Sequence, residues 1–485
     1  MPAKSTFRPT AAGIAAATGG VIARKGGARL VRRFIADSRD AGPGDCFVAL
    51  RGERVDGHDF VANALARGAS GALVMRPPST AVLPRNGFVV QVDDTHVALG
   101  QLAASWRRLH AQARVVGITG SCGKTSTKNM LGRVLSQATP TVFSPKSFNN
   151  SIGVPLTLFQ ISAGTRAAVV EIGTNGPGEI EALAKIAQPN LGIVTCIGES
   201  HLDGLGSIEG VAREKAMLLR ALSPDGVAVL NGDDPSTAPF LLPAVPGRCV
   251  LTRLGQVADW FATDLKAHGL GTSFLLQGKR PVTIPLLGSH NVSNALMTIA
   301  AAVEMGVDLD FVLDSLADMP VTARRLQCRE AGRVQVFDDT YNMNPASARA
   351  ALMAMAGLPS TGRRIVVFGE MKELGARADA LHAELGAEVA HRDIDLLVTV
   401  GGRAAHIADG AEHAGLTAER VIRTNDQGEA LERLLAVLRP NDRLLCKASH
   451  SVGFDRLVDA LATALTERDS RRDATSGEAV AVAQT

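Results

Sequence analysis

Residues 114–130 read RVVGITGSCGKTSTKNM, and no other stretch limits the fold of this chain so strongly. The apolar run Val115-Val116-Gly117-Ile118 predicts a buried strand, while Met130, Leu131, Val134 and Leu135 fall on one face of a helix. Between the two lies Gly120-Ser121-Cys122-Gly123-Lys124-Thr125. A strand, a glycine loop, Lys-Thr and a helix in this order form a cradle for a nucleoside triphosphate. Glycines let backbone N–H groups close on phosphate oxygens, and the helix N-terminus adds positive potential. Lys124 is expected to reach the β- and γ-phosphates, and the Thr125 hydroxyl to hold Mg²⁺. The general pattern has a glycine five residues before Gly123, where this chain has Ile118.

The length of 485 residues suggests two to four domains, and the pattern divides into three blocks and a tail. Residues 1–108 carry strand patterns at 45–50 and 87–92 and helical patterns at 59–67 and 97–110. Residues 109–320 alternate apolar strands at 167–173, 191–197 and 226–230 with helical patterns at 179–187 and 208–222. Such alternation implies a mostly parallel sheet covered by helices on both faces. Residues 321–467 form a second, smaller unit of this kind, with strands at 364–368, 396–400 and 443–447. Residues 468–485 are polar and lack periodicity, so a disordered tail is expected. The fold class is α/β, with three domains. A central parallel-sheet P-loop ATPase-like domain is flanked by a small α/β N-terminal domain and a Rossmann-like C-terminal domain.

Composition removes several function classes. The net charge is only +3, and no basic stripe is interleaved with the sparse aromatics, so nucleic-acid binding is not favoured. Lys4 and Arg8 precede AAGIAAATGGVIA, a run too weakly apolar for a signal peptide. A short helix and a strand are expected there instead. No apolar stretch approaches the length of a membrane span, so no membrane insertion and a cytoplasmic location are expected. The six cysteines (Cys46, Cys122, Cys196, Cys249, Cys328 and Cys446) contain no CxxC pair. Their spacing suits neither a zinc site nor a disulfide framework, and reduced buried thiols are expected. Cys122 is read as incidental, because the loop needs nothing from its sulfur.

Three polar residues outside the loop stand out. Glu171 ends a buried strand beside the loop and is placed to hold Mg²⁺, or else is a solvated strand-end acid. On spacing alone, His201 in Ser200-His201-Leu202-Asp203 is a loop histidine. Lys215 in Arg213-Glu214-Lys215-Ala216 is a helix-surface lysine on the same grounds.

In chain order these segments resemble the Mur ligases, the ATP-dependent amide-forming ligases of peptidoglycan precursor synthesis. Their loop has the spacing TGxxGKT, which accounts for Ile118. FSPKSFNNSIGVP at 143–155 is similar to the family's substrate-side loop, and GSHNVSNA at 288–295 to its adenine-side motif HNxxNALAA. DDTYNMNP at 338–345 is close to DDSYNANP, an ATP-binding segment of the third domain. Asp37-Ser38-Arg39, with PGDCFVAL at 43–50 and DGH at 56–58, resembles the uridine-nucleotide-binding module. VVFGEMKELG at 366–375 resembles the VxGDMxELG of the MurF type, and the DNPR of the diaminopimelate-adding relatives is absent.

The resemblance implies that D-alanyl-D-alanine is joined to a UDP-N-acetylmuramoyl tripeptide through an acyl phosphate, with release of ADP and phosphate. It implies that Gly120, Ser121, Cys122, Gly123, Lys124, Thr125 and Ser126 hold ATP phosphates. Asn291 and Asn294 would lie at adenine, and Arg325, Asp338 and Asn342 would reach ATP from the third domain. Ser38, Arg39, Asn149, Asn150, Lys447 and Ser449 are implied on the substrates. Catalysis is implied for Lys124, His201 and Lys215. Two Mg²⁺ ions are implied on Thr125, Glu171, His201 and Lys215, the last as a carbamate formed with CO₂. A carbamate is an anionic oxygen ligand, where an ammonium would repel the metal. A monomer whose domains close to assemble the site is also implied.

Two departures qualify this. Ala323-Arg324-Arg325 stands where the family has Pro-Gly-Arg, and Lys447-Ala448-Ser449-His450-Ser451 replaces KGSRS. His450 cannot supply a bidentate guanidinium fork, so the amine substrate stays open, D-alanyl-D-lactate and D-alanyl-D-serine included. The third residue of the acceptor peptide is open too. The alternatives are a related ligase using another amine and a catalytically silent nucleotide-sugar-binding homologue. The joint presence of Lys124, Thr125, Glu171, His201 and Lys215 argues against the silent one.

Overall fold

Side chains alternate across a strand, so the strand Arg114–Thr119 sends Val116 and Ile118 to one face of its sheet and Val115 to the other. All three are fully buried. A strand apolar on both faces belongs inside a sheet sandwiched by helices, and that is its place here. The computed structural model describes residues 7–27, 30–52, 54–77, 87–359 and 361–482. Lys4 lies outside them.

The central sheet has nine strands. From one edge they run 141–143, 167–171, 114–119, 191–194, 227–231, 248–254 and 260–268, all parallel. Two antiparallel strands, Gly271–Leu276 and Arg280–Ile284, complete the other edge. Sequence reading missed this edge, because short turns replace the helices that separate most of the other strands of this domain. On one face, Met130, Leu131, Val134 and Leu135 of the helix Lys124–Ala138 pack with Val116, Ile118, Val292 and Leu296. Burying each such side chain contributes about 2 kcal/mol.

The opposite face shares its core with the first domain. Val115, Val170 and Ile172 join Phe34, Val48, Leu73 and Phe88 there. Trp106 seals the join, edge-on to Phe34 at 5.9 Å, with its indole N–H donating to the Ile161 carbonyl at 2.9 Å. The first sheet has five strands, parallel except for Val21–Arg24, which follows the expected short helix Ala11–Thr18.

The third sheet runs 327–331, 334–338, 443–447, 364–368, 396–400, 421–424, antiparallel only at its first pair. Val366 and Phe368 enter one core and Ile365 and Val367 another, so helices cover both faces. Of the expected disordered tail at 468–485, the part through residue 482 is instead the end of the helix Phe454–Val482, and 483–485 lie outside the described residues. The middle of that helix is pinned: Asp469 is buried and accepts the Arg333 N–H at 2.7 Å, and Arg468 donates to the Leu435 carbonyl.

Candidate active site

The strand Arg114–Thr119 lies between 167–171 and 191–194, so its carboxyl end opens at a switch in strand order. That is where open α/β sheets bind ligands. The glycine loop sits in the crevice and rests on the end of the strand Leu191–Val194. Gly120 has φ +150°, and a Cβ there would lie 1.9 Å from Thr195 Oγ1. Gly123 has φ +82°, and a Cβ would lie 2.5 Å from Asn294 Oδ1. Only glycine permits this seating. The Ser121 N–H donates to the Cys196 carbonyl at 2.8 Å, and the Ser121 hydroxyl to the Gly198 carbonyl at 2.9 Å.

Lys124 and Thr125 open the following helix. Lys124 Nζ reaches back over the loop, donating to the Gly120 carbonyl at 2.6 Å. The Thr125 hydroxyl donates to Glu171 Oε2 at 2.9 Å, and the Asn149 amide donates to Glu171 Oε1 at 2.9 Å. Glu171 is 1% exposed, so it is not a solvated strand-end acid. Lys128, one helical turn after Lys124, is buried and donates to the Ser144 and Lys146 carbonyls at 2.7 and 2.6 Å. Burial is the main reason its pKa falls to about 8. It fixes the loop that presents Asn149 and Asn150.

The third domain closes the crevice. Asn344 caps the helix Pro345–Ala356 and donates through Nδ2 to the Ser121 carbonyl at 3.2 Å. Arg325 stacks on the Tyr341 ring at 4.2 Å, and His450 lies on the same ring at 5.5 Å. Lys447 Nζ bonds Asp339 Oδ2 at 2.5 Å and the Asn342 carbonyl at 2.9 Å. Arg349 Nη1 is 3.5 Å from Glu199 of the central domain. His201 Nδ1 is 2.6 Å from Glu373 Oε2, without alignment to the ring N–H, and the Leu202 N–H donates to the Glu373 carbonyl at 2.9 Å. Both His201 and Glu373 hold the left-handed backbone, at φ +53° and +64°.

These groups enclose a cavity of about 720 Å³, a size suited to a nucleotide and part of a second substrate. Of the expected residues, its wall includes Ser121, Cys122, Gly123, Lys124, Thr125, Ser126, Asn149, Asn150, Glu171, His201, Asn291, Asn294, Arg325, Asn342 and Lys447. Gly120, which opens the loop, is not on the wall. Asp338 is buried, its Oδ1 taken by the Thr340 N–H and hydroxyl, and its neighbour Asp339 faces the cavity instead. Ser449 ties the Met343 carbonyl to the Lys372 N–H behind the wall. Ser38 and Arg39 are apart from the cavity in the first domain, where Arg39 pairs with Asp37 at 2.6 Å.

Lys215 corrects the surface reading. It is 1% exposed and lies behind the wall, and burial, then the Lys124 charge, lowers its pKa to about 7. Its neighbour Glu214 is committed to the Gly178 and Ile180 N–H groups, at 2.8 Å each. Among the residues missed, Lys128, Asp339 and Glu373 all lay within quoted motifs. Arg349 and Cys196 carried no local signal.

Among the described residues, no three of His, Cys, Asp and Glu converge as a metal cage. The buried Glu171 carboxylate and Thr125 hydroxyl are hard oxygen donors. They fit Mg²⁺, which takes one or two protein ligands and completes its shell with water and substrate phosphate.

Comparison with known proteins bears on the same three units. Residues 34–107 match the family model Mur ligase family, catalytic domain; 118–302 match Mur ligase middle domain; 324–450 match Mur ligase, glutamate ligase domain. The UDP-N-acetylmuramoyl-tripeptide--D-alanyl-D-alanine ligase of Bacillus subtilis is 34% identical over 89% of this chain and 93% of its own length. The Escherichia coli enzyme of the same name is 36% identical over 88% and 92%. A crystal structure of MurF from Acinetobacter baumannii superposes with TM-score 0.84 at 33% identity, covering 94% of this chain and 99% of that one. MurF ligase from Thermotoga maritima in complex with ADP gives 0.79 at 26%, covering 90% and 99%.

Proposed function

The chain belongs to the Mur ligase family, and from that premise we propose that it joins D-alanyl-D-alanine to the UDP-N-acetylmuramoyl tripeptide at the expense of ATP. It is an ATP-using, amide-forming ligase of peptidoglycan precursor synthesis, of the MurF type. The observation that carries the reading is a coincidence of two facts. The end-to-end likeness to D-alanyl-D-alanine ligases falls on a cavity where a loop cation, a buried hydroxyl–carboxylate pair and a histidine meet.

A carboxylate oxygen is a poor leaving group, so the tripeptide's terminal carboxylate is activated as an acyl phosphate before the amine displaces phosphate. Two anions approach in the first step, and positive charge must be concentrated between them. Lys124 and the loop N–H groups hold the β- and γ-phosphates. Thr125 and Glu171 hold Mg²⁺, which when bound supplies further charge at the phosphate. His201 faces the same cavity and is the candidate ligand of a second ion. Lys215 acts as its carbamate. A neutral amine is the form that attacks CO₂, and burial, by lowering the Lys215 pKa to about 7, makes a substantial share of it available near neutral pH. Arg325, Asn342 and Lys447 complete the site from the third domain. Ser38 and Arg39 serve the uridine diphosphate. The enzyme works as a monomer in the cytoplasm; no helix among the described residues is long and apolar enough to cross a membrane.

The test is phosphate release from ATP and Mg²⁺ with the tripeptide nucleotide, with and without D-alanyl-D-alanine, followed by product mass. Release dependent on both substrates, with a product heavier by the dipeptide less water, supports the reading. Turnover only with another amine moves the specificity and points to His450. No turnover with any amine, bicarbonate included, leaves a binding protein. Labelled bicarbonate is expected to mark Lys215, and Lys215→Arg to abolish the label.

A further inference from the structure

The phosphate-binding loop carries a thiol, and so does the strand end beneath it. Cys122 stands between Ser121 and Gly123, and Cys196 follows Thr195. They are 74 residues apart in sequence, yet their Sγ atoms are 3.0 Å apart. About 1 Å of further approach separates them from bonding distance. The contact is held from several sides. The Cys122 N–H donates to Cys196 Sγ at 3.4 Å, the Ser121 N–H donates to the Cys196 carbonyl at 2.8 Å, and the Thr195 hydroxyl donates to the Cys122 carbonyl.

Both thiols line the nucleotide cavity, so a solute that enters it meets them. The other four cysteines are elsewhere: Cys46 and Cys446 are buried, and Cys249 and Cys328 are half-buried off the cavity wall. The loop's own work uses glycines, backbone N–H groups and Lys124, so neither sulfur is needed for phosphate binding.

We propose that Cys122 and Cys196 are a modification site: a dithiol that peroxide converts to a disulfide, shutting the nucleotide cavity. The regulatory half of this rests on the cavity being the ATP site; the bond itself does not. The contact between the two sulfurs holds the Cys196 thiol below its ordinary range and, with burial, raises that of Cys122. Lys124 lies close enough to favour the thiolate.

The Cys196 thiolate attacks one peroxide oxygen, the O–O bond breaks, and the other oxygen leaves as water with the thiol's proton. The product is a sulfenic acid on Cys196. The Cys122 sulfur then attacks that sulfur, the S–O bond breaks, and a second water leaves with the Cys122 proton. Two thiols and one hydrogen peroxide give one disulfide and two waters, with two electrons passed from sulfur to oxygen. The new bond draws the loop onto the strand end, and the N–H groups around Cys122 and Gly123 lose the arrangement that fits phosphate. Dithiothreitol reverses the step by exchange.

The experiment treats the reduced full-length protein with hydrogen peroxide, alkylates it and maps it by mass, while fluorescent ADP binding and phosphate release are followed. Expected are a loss of about 2 Da and a Cys122–Cys196 cross-linked peptide. Nucleotide binding is expected to fall by at least about tenfold, recover with dithiothreitol and be protected by prior ADP. Cys122→Ser and Cys196→Ser, each scaled to its own untreated value, are expected to resist peroxide. The proposal is overturned if both thiols remain alkylatable after peroxide, if the disulfide forms while nucleotide binding persists, or if Cys196→Ser is inhibited as strongly as the parent. If the untreated protein binds no nucleotide, the ATP-site reading fails, and peptide mapping still decides whether the bond forms.

Discussion

Lys124 is the one loop side chain whose charge the phosphates require, and it is only part-buried, so removing it costs function rather than fold. Lys124→Met is expected to lower phosphate release by about a hundredfold or more, while the melting temperature moves little. Activity within threefold of the parent would remove Lys124 from the mechanism. Glu171 accepts from both Thr125 and Asn149, so Glu171→Gln keeps the shape and loses the anionic ligand. The Mg²⁺ concentration for half-maximal rate is expected to rise about tenfold or more, and a loss independent of Mg²⁺ would refute that role. His290 gives a pH prediction. Burial, with the Lys447 charge second, lowers its imidazole pKa to about 4. The unfolded chain takes up that proton near pH 6.5. Between roughly 6.5 and about 4 the unfolded state therefore binds more protons, and stability falls as pH falls. His290→Gln is expected to flatten that acid limb in melting curves; an unchanged slope would mean that other groups carry it.

The helix Pro345–Ala356 shows how one element serves fold and site together. Asn344 accepts the Ser347 N–H at 2.9 Å in a capping box, while its Nδ2 holds the Ser121 carbonyl. Asn344→Asp keeps the acceptor and loses the donor. Its melting temperature is expected to stay within a few degrees, with KM for ATP raised about tenfold. Asn344→Ala loses both and is expected to destabilise by about 1 kcal/mol as well. Equal KM values for Asn344→Asp and the parent would show that the link to the loop does not matter. DDTYNMNP was legible as a chemical segment in the sequence. Which of its residues faces the cavity was not, because Asp338 and Asp339 point to opposite faces of a strand end, and only the sheet decides which face is the inner one.

At the scale of the molecule, the central and third domains meet through a shared apolar cluster, where Leu202, Val211 and Leu287 pack with Leu326, Met343 and Leu352, and through polar contacts around the cavity. Glu373 with His201 and Leu202, Arg349 with Glu199 and Asn129 with Thr322 are among the polar ones away from the loop. Glu373 is therefore placed to orient His201 only when the domains are closed. Glu373→Ala is expected to shift small-angle scattering toward a more open particle and to lower turnover about tenfold, with ADP and Mg²⁺ restoring less compaction than in the parent. Identical scattering curves with and without nucleotide would sink this coupling.

The sequence by itself determined whatever is written over a few neighbouring residues. The strand, glycine loop and helix at 114–138 follow from periodicity and from φ values only glycine tolerates, and the parallel middles of the central and third sheets follow from apolar runs that must be covered on both faces. The order of the motifs was enough to place the family. The tertiary structure alone decided matters that depend on distant partners. Lys215 looks like a surface lysine until the fold buries it and burial lowers its pKa to about 7. Cys122 looks incidental until the strand order sets Cys196 beneath it. The end of the last helix looks unstructured until Asp469 and Arg468 find partners 136 and 33 residues away. A local pattern fixes backbone geometry because hydrogen bonds and rotamers act over one or two turns. Burial, charge and reactivity are properties of the surroundings, and those exist only once the chain has folded.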